Sequence, residues 1–379
     1  MVNWLASMEQ TFEFYIVDPD TWGDIELLTT VKSCTINRDS GAETLGSATL
    51  TITESVGECY LRVYLVTIQN GVKERHPLGT FLVQTPSSNY TGKLREVSMD
   101  AYTPLLELKE NPPPIGYTIS AGTKKDSNGE IIRDTNIMAM ASKLAAENMR
   151  APVVPVRASL NSDGSEDSSK VNEKLHTDFI STTDDTWLSF LTDLIANADH
   201  IFDLDEMGRV LFAPKQDTAS LQPVWTFADD DNSILHPDVS MDHDLFAIPN
   251  VVEVICSTNL GTESAIVVNE DPNSPVSTVR RGRKITKRIV DPDLNNGAFA
   301  VKAQVEEYAK RLLKELSSIE YTVTITHGYC PVRIGDCIRL DYKRAGLTNI
   351  KAKVISQSIK CEPGCPVTSK AVYTAELWG

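Results

Sequence analysis

Short runs rich in apolar residues recur along this chain of 379 residues. In the first hundred residues they lie at 12–17, 31–37, 48–52, 60–68, 76–84 and 94–101, and those at 31–37 and 48–52 alternate apolar with polar positions. A period of two residues is typical of strands with one buried face. The Asn70-Gly71 dipeptide after one of these runs accepts positive φ angles and favours a tight hairpin. The region is therefore predicted to form one β domain, either a barrel or a sandwich.

The middle of the chain mixes helical and strand-like patterns. Three consecutive prolines at 112–114 exclude a helix or a central strand there and predict a rigid connector. Helices are predicted over 134–148 and 181–198, the second with Ser or Thr as its N-cap and two acidic residues in its first turn. Residues 159–174 predict an exposed acidic loop, and residues 201–213 predict a hairpin. This region is therefore predicted to be a small α+β domain.

Strand-like alternation resumes after residue 250 and flanks one long amphipathic helix. Residues 298–316 carry apolar side chains at helical spacing and predict that helix. The Ile334-Gly335-Asp336 sequence then precedes a strand at 336–342, which is predicted to pair with 351–358 through a turn at Ala345-Gly346. The chain is therefore predicted to be α+β and mostly β, with a β domain at each end and a small α+β domain between them.

Size and charge limit the classes of function. A chain of this length exceeds one ordinary core and predicts two to four domains. Its formal net charge of −16 argues against broad binding to nucleic acid, which requires a basic face. No apolar run approaches the roughly 20 residues that a membrane helix needs, and the first twenty residues lack the basic start of a signal peptide. Stable membrane insertion is therefore not expected.

Sequence motifs of common catalytic sites are absent. The chain contains no HExxH, GxxxxGK[ST], GxGxxG or GxSxG sequence, so zinc-peptidase, phosphate-binding and nucleophile-elbow sites have no support. The residues from Asp291 to Gly297 resemble the start of a calcium loop, but Gly stands seventh and Lys302 twelfth, which favours capping of the following helix. No enzymatic activity is expected.

Two charged segments have alternative interpretations. His236 and His243 lie among several aspartates, where an acidic surface loop is favoured over a divalent metal site. The second segment, residues 280–288, contains six Lys and Arg residues and is called the basic segment below. It is predicted to be a solvated hairpin, or a salt-bridged contact with an acidic neighbour, rather than a nucleic-acid site.

Four of the seven cysteines, Cys330, Cys337, Cys361 and Cys365, follow the spacing C-x6-C-x23-C-x3-C near the end of the chain. A reducing compartment favours thiolate–metal ligation over disulfides, so a structural zinc or iron–sulfur site is one candidate. The spacing matches no common zinc motif. Unligated cysteines, or one disulfide such as Cys361 with Cys365 or Cys330, are the alternatives. The remaining three cysteines lie in or beside apolar runs and are predicted to be buried: Cys34, Cys59 and Cys256.

Four stretches, in this order, resemble the baseplate-hub or tail-hub proteins of tailed phages. Residues 78–83 with 94–108 look like the end of a first tube-like domain, and residues 185–215 look like an inserted helix followed by a strand–turn–strand unit. Residues 303–316 look like the helix of a second tube-like domain, and residues 332–377 look like its closing strands.

The resemblance implies two tube-like β-barrel domains, residues 1–108 and 246–379, with an inserted α+β domain at 109–245. It implies a homotrimer that joins a hexameric tail tube to a threefold tip or spike and lines the DNA-ejection channel. Expected partners are the tail tube protein, the distal tail or baseplate ring proteins, the tip or spike protein and the tape-measure protein. DNA would pass without being bound specifically. The protein would be assembled in the host cytoplasm and reside in the virion. Some proteins of this family carry an iron–sulfur cluster on C-terminal cysteines, which favours the four-cysteine site.

Two other functions share parts of this interpretation. A hub of a bacterial contractile injection or secretion system would have the same fold. A carbohydrate-binding β module at the tail periphery would share only the β content. An enzyme such as a tail-associated peptidoglycan hydrolase would require a catalytic set of His, Cys or Asp residues that we do not find in the sequence.

Overall fold

The structure of the chain is a computed structural model. It describes residues 2–376 apart from residues 55, 92–93, 123, 126, 128, 130, 162–164, 217, 219, 231–232, 244–247, 259–260 and 291–301. The chain divides into two units, residues 1–238 with 325–370 and residues 239–324 with 371–379. The division into domains at 1–108, 109–245 and 246–379 stays a prediction. In the part of the chain that is described, no helix is long and apolar enough to cross a bilayer.

Seven strands open the first unit: β1 (Glu9–Val17), β2 (Asp24–Leu27), β3 (Val31–Asp39), β4 (Gly46–Ile52), β5 (Cys59–Gln69), β6 (Val72–Thr91) and β7 (Leu94–Tyr102). They pair antiparallel in the order β3–β4–β7–β6–β5–β1–β2. The hairpin between β5 and β6 is confirmed, because Asn70 and Gly71 both have positive φ angles, of +51° and +78°. The mostly β fold predicted from alternation is also confirmed.

The middle of the first unit holds short helices and strands: α1 (Leu106–Glu110), β8 (Thr118–Ile119), β9 (Lys124–Lys125), β10 (Ile131–Ile132), α2 (Ile137–Asn148), β11 (Ser159–Leu160), β12 (Glu166–Asp167), β13 (Phe179–Ile180), α3 (Trp187–Ala196), β14 (His200–Leu204) and β15 (Val210–Pro214). The buried faces of α2 and α3 share one apolar core that includes Leu144, Phe190 and Leu194. The predicted hairpin at 201–213 is confirmed as β14 paired with β15. The predicted loop at 159–174 contains the paired strands β11 and β12.

The start of α3 differs from the prediction. The helix begins only at Trp187, because Thr186 and Ser189 form a reciprocal capping box there. The two acidic residues that were expected in the first turn, Asp184 and Asp185, therefore precede the cap. Asp185 instead accepts the backbone N–H of Thr182 at 2.6 Å and holds the turn before the helix.

The following elements are β16 (Trp225–Ala228), β17 (Leu235–His243), β18 (Val251–Thr258), β19 (Gly261–Val268), α4 (Thr278–Arg281), β20 (Thr286–Val290), α5 (Lys302–Leu316) and β21 (Ser318–Gly328). In the second unit, β18 pairs antiparallel with β19 and parallel with β20. Val305, Ala309 and Leu313 recur every fourth residue along α5 and pack with Val252 and Val254 of β18. The predicted amphipathic helix is thus confirmed from residue 302, and its first residues, 298–301, lie outside the described part.

The chain ends with β22 (Cys337–Tyr342), the 3-10 helix Lys343–Ala345, β23 (Leu347–Lys360) and β24 (Pro366–Glu376). The predicted pairing of β22 with β23 is confirmed. β23 also pairs antiparallel with β3, which places Ile359 opposite Ile36. Residues from both ends of the sequence therefore share one buried core within the first unit. Among the described residues the paired strands form an open path, and closed barrels stay a prediction.

Candidate functional site

The hairpin of β14 and β15 turns at residues 205–208, and one carboxylate holds that turn. Asp205 accepts the backbone N–H of Met207 at 3.0 Å and that of Arg209 at 2.8 Å. The Arg209 side chain donates to the same carboxylate at 2.6 Å. Gly208 has a φ of +72°, a left-handed conformation that glycine adopts without a Cβ clash. The turn is therefore fixed, and the Met207 carbonyl is available to another segment.

The Met207 carbonyl oxygen accepts hydrogen bonds from three side chains of the N-terminal segment. Trp22 Nε1 donates at 2.8 Å, Thr80 Oγ1 at 2.9 Å and Arg62 Nη2 at 3.3 Å. This close approach requires glycine at position 208, because a Cβ atom there would lie 2.6 Å from Thr80 Cβ. The hairpin turn is thus docked through its backbone, and the identity of the Met207 side chain is not part of the contact.

Arg62 is buried in the middle of β5, with 1% of its surface exposed. Its Nη1 donates to Asp24 Oδ1 at 2.7 Å, its Nε donates to Thr80 Oγ1 at 2.9 Å, and its Nη2 also donates to the Trp22 carbonyl at 3.1 Å. Tyr64 donates to the other oxygen of Asp24 at 2.8 Å. Burial, with Asp24 beside the phenol, raises the pKa of Tyr64. The buried guanidinium is therefore paired with a carboxylate and bonded through every nitrogen.

A second arginine reaches the same hairpin from the C-terminal segment. Arg333 precedes the Ile334-Gly335-Asp336 turn, where Gly335 has a φ of +87° and Asp336 accepts the Arg333 backbone N–H at 2.8 Å. The Arg333 side chain pairs with Glu206 at 2.6 Å and with Asp203 at 3.5 Å, and it donates to the Leu204 carbonyl. The short turn that precedes β22 therefore aims an arginine at the hairpin.

Burial and charge oppose each other in this second pairing. Burial acts to lower the pKa of Arg333, but the carboxylates of Asp203, Glu206 and Asp336 outweigh it and the pKa is raised. Burial raises the pKa of Asp203, although Arg333 acts against that shift. Arg38 lies nearby and donates to the Leu78 carbonyl at 2.7 Å. Arg38, Asp203 and Arg333 all line one cavity of about 40 Å³.

We call this set of groups the polar junction: Trp22, Asp24, Arg62, Thr80, the turn at 205–208, Asp203 and Arg333. It lies wholly within the first unit and links three segments that are far apart in sequence. Burying a pair of charges contributes little net stability, but separating such a pair is costly. The junction therefore selects one arrangement of the three segments. Its polar groups are engaged with one another, as in a structural element rather than a reactive centre.

The four C-terminal cysteines do not gather at one point. Cys361 and Cys365 belong to the apolar core around Cys34, and the Cys361 backbone N–H donates to the Cys34 carbonyl at 2.9 Å. Cys330 Sγ lies 3.9 Å from His327 Nδ1, and Cys337 lies on β22. Burial raises the pKa of Cys330, Cys337 and Cys365, which disfavours the thiolate.

The described residues contain no group of three His, Cys, Asp or Glu side chains that could hold a metal ion. The zinc or iron–sulfur site at Cys330, Cys337, Cys361 and Cys365 stays a prediction from the sequence. Of the other cysteines, Cys34 and Cys256 are buried as expected, whereas Cys59 at the start of β5 is only partly buried.

Two interpretations of charged segments were wrong. The segment of His236 and His243 is the strand β17 rather than a loop, because its residues alternate and it pairs along β21. The basic segment is not a hairpin: it forms the short helix α4 and, after Gly282, the strand β20. The alternative interpretation, a salt-bridged contact with an acidic neighbour, fits better, because Arg288 pairs with Glu253 at 2.7 Å. The segment from Asp291 to Gly297, interpreted as a helix cap, lies outside the described residues.

The residues of the polar junction were missed by the sequence analysis. One signal was present: Arg62 interrupts an otherwise apolar strand, and a charge at such a position is retained only with a partner. Its partners could not be identified in the same way, because they lie 18 to 145 positions away along the chain.

No family model matches the chain, and no curated protein matches it. Solved structures do. The chain is similar to a tail protein from Neisseria meningitidis MC58, with 14% identity, 98% of each chain covered and a TM-score of 0.57. It is also similar to the 43 kDa tail protein of prophage MuSo2 from Shewanella oneidensis, with 13% identity, 96% of this chain and 98% of that chain covered, and a TM-score of 0.54. The chain therefore has the fold of these tail proteins, and the resemblance seen in the sequence is confirmed at the level of fold.

Proposed function

We propose that this chain is a structural protein of a phage tail, and that it forms the trimeric hub of a baseplate or tail tip. In this role three copies join the hexameric tail tube to a threefold tip or spike and line the channel for DNA ejection. Its neighbours would be the tube protein, distal tail or baseplate ring proteins, the tip or spike protein and the tape-measure protein. It would act in the virion, after assembly in the host cytoplasm, and it would not be an enzyme.

The observation that carries this proposal is the likeness in fold to two tail proteins over nearly the whole length of all three chains. A likeness confined to one β domain would be compatible with many functions. Here the likeness covers 98% of each chain in one comparison, and 96% of this chain and 98% of that chain in the other. The predicted tube-like domains at 1–108 and 246–379, with the insert at 109–245, are part of the proposal.

The polar junction suits a part that transmits force between a tube and a tip. A hub must hold its segments in one geometry while DNA and the tape-measure protein pass. Arg62 and Arg333 secure the insert hairpin from two sides, and buried pairs of this kind are costly to separate. The net charge of −16 is consistent with a channel that does not retain DNA, because like charges repel.

The test is the mass of the purified full chain and its shape in negative-stain images. We expect a trimer by light scattering and rings with a central hole. A mass that stays monomeric over a hundredfold range of concentration, in the presence of purified tube protein as well as without it, would contradict the hub. Rings that bind duplex DNA in their central hole at physiological salt would contradict the charge argument while leaving the hub in place.

A further inference from the structure

Two strands of this chain end their sheets with an uncovered edge. Among the described residues β2 pairs with β1 alone, and β20 pairs with β18 alone. All four side chains of β2 are exposed, and so are four of the five in β20. An exposed edge presents unpaired backbone N–H and C=O groups and accepts another strand unless the sequence prevents it. Each of these strands is therefore able to pair with another chain.

The edge at β2 combines acidic and apolar side chains with a cavity. Its sequence is Asp-Ile-Glu-Leu, and Ile25 is 66% exposed. Ile25 also lines a cavity of about 330 Å³, together with Ile16, Leu82, Arg150 and the two acidic residues Glu58 and Glu107. An edge strand beside a side-chain pocket is the arrangement by which β-strand addition obtains specificity.

Glu107 identifies the kind of side chain that this cavity suits. Its Oε2 accepts the Arg150 backbone N–H at 3.0 Å, whereas its Oε1 is buried without a hydrogen-bond partner. Burial raises the pKa of Glu107. A buried carboxylate oxygen without a partner is costly, and a cationic side chain entering the cavity would remove that cost. The site therefore suits an extended segment that is both basic and apolar.

The edge strand β20 of the same chain fits that description. The strand β20 reads Thr-Lys-Arg-Ile-Val, with Lys287 exposed and Val290 58% exposed. The basic segment to which it belongs carries six of the 36 Lys and Arg residues and no acidic residue. The rest of the chain accordingly has 30 basic residues against 52 acidic ones, a formal charge of −22. The basic segment is thus opposite in sign to the net charge of the rest of a second copy.

We propose that β20 of one copy adds as a strand to the free edge of β2 in a second copy, with Lys287 directed at the carboxylates of the cavity beside Ile25. The contact joins two different surfaces of the same chain. A head-to-tail contact of this kind closes into a ring when its rotation divides a full turn. The inference rests on the proposed ring and names its interface.

Charge reversal tests the pairing. Glu58→Lys, at a cavity carboxylate, and Lys287→Glu each place like charges across the proposed interface, and we expect each to weaken association of the full chain at least tenfold in light scattering and sedimentation. The double variant Glu58→Lys/Lys287→Glu restores opposite charges, and its association is expected to return to within about threefold of the original. Lys143→Glu on α2 is the matched control and is expected to leave association unchanged, because Lys143 belongs to neither strand and its side chain is 65% exposed.

A labelled peptide of residues 283–290 provides a second measurement that does not depend on ring formation. We expect it to bind the Lys287→Glu protein, whose β2 edge is free, and to bind Glu58→Lys/Lys287→Glu at least tenfold more weakly. If the wild-type chain is a monomer, the ring is wrong, and peptide binding alone decides the pairing. If a ring forms and no reversal affects it, the pairing is wrong and the ring stands. If Lys287→Glu removes binding of a DNA duplex while the mass is unchanged, the basic segment is a DNA contact and the proposal is overturned.

Discussion

The arginines of this chain occupy two opposite environments. In the polar junction, Arg62 is 1% exposed and bonded through every nitrogen, and the Arg333 side chain is 19% exposed between two carboxylates. In the basic segment, the Arg288 side chain is 64% exposed even though it pairs with Glu253. Both regions hold positive charge in a strongly acidic chain. In the first region the guanidinium groups are bonded to internal partners, whereas in the second Arg283, Lys284 and Lys287 are exposed.

The difference separates two uses of charge that the sequence alone does not distinguish. A buried guanidinium is tolerated only with complete pairing, and it then fixes the geometry of the segments that it joins. An exposed one contributes little to folding, because water and salt screen its interactions. Substitutions in the junction should therefore reduce the free energy of unfolding, whereas substitutions in the basic segment should alter association and leave folding intact.

The largest effect is expected from Arg62→Ala. The substitution leaves Asp24, Thr80 and the Met207 carbonyl without their shared donor, so the free energy of unfolding should fall by about 3–5 kcal/mol. Urea unfolding followed by circular dichroism measures this change. Arg75→Ala is the control: Arg75 pairs with Glu13 at 2.7 Å but its side chain is 46% exposed, and its loss should cost less than about 1 kcal/mol. Equal losses for the two variants would remove the distinction between buried and exposed arginines.

Protonation of His327 is expected to have the next largest effect. The ring is buried beside Phe227, with Nδ1 2.7 Å from the Gly328 carbonyl and Nε2 2.9 Å from Ser369 Oγ. A carbonyl only accepts, so Nδ1 carries the proton and Nε2 accepts the Ser369 hydroxyl. Burial lowers the pKa of His327 to about 4, and the charge of His236 acts in the same direction.

The sign of the pH effect follows from that depressed pKa. An unfolded histidine binds a proton near pH 6.5, whereas the folded protein resists protonation until about pH 4. His327 therefore contributes about 3 kcal/mol to the free energy of unfolding above pH 6.5. This contribution is lost as the pH falls towards 4. Carboxylates titrate in the same range, so the measurement compares wild type with His327→Gln at pH 7 and pH 4.5. If the free energy of unfolding changes equally with pH in the two proteins, the lowered pKa of His327 is contradicted.

A smaller effect is expected from Gly208→Ala in the junction turn. Alanine is unfavourable at this positive φ, and its Cβ would lie 2.6 Å from Thr80 Cβ. The free energy of unfolding is therefore expected to fall by about 2–3 kcal/mol. Gly116→Ala is a matched control, because Gly116 also has a φ of +72° but no atom lies within 4 Å of its Cβ position. The free energy of unfolding of that variant should fall by only about 1–2 kcal/mol, because alanine is unfavourable at a positive φ. If both variants lose the same amount, the turn is not held against Thr80.

The parts of the fold that sequence analysis predicted are those set by local pattern. The Asn70-Gly71 hairpin, helix α5 and the pairing of β22 with β23 follow from turn chemistry and periodicity over a few residues. Pairing of β3 with β23 joins residues more than 300 positions apart, and no periodicity encodes such a partner. The polar junction was not predicted for the same reason. Its turn was predicted, but the side chains that bind the turn come from distant segments.

The smallest effect is expected from Arg283→Ala/Lys284→Ala in the basic segment. Both side chains are exposed between α4 and β20, so the free energy of unfolding should change by less than about 0.5 kcal/mol for each substitution. If the basic segment binds a second copy, the same variant should still weaken association, and the effect should shrink as salt is raised because charge–charge attraction is screened. Sedimentation at 50 mM and 500 mM salt measures this. A variant whose free energy of unfolding is clearly lower, but which still associates normally at both salt concentrations, would contradict this expectation. The basic segment would then stabilise the fold, as the junction arginines do, and would not bind a second copy.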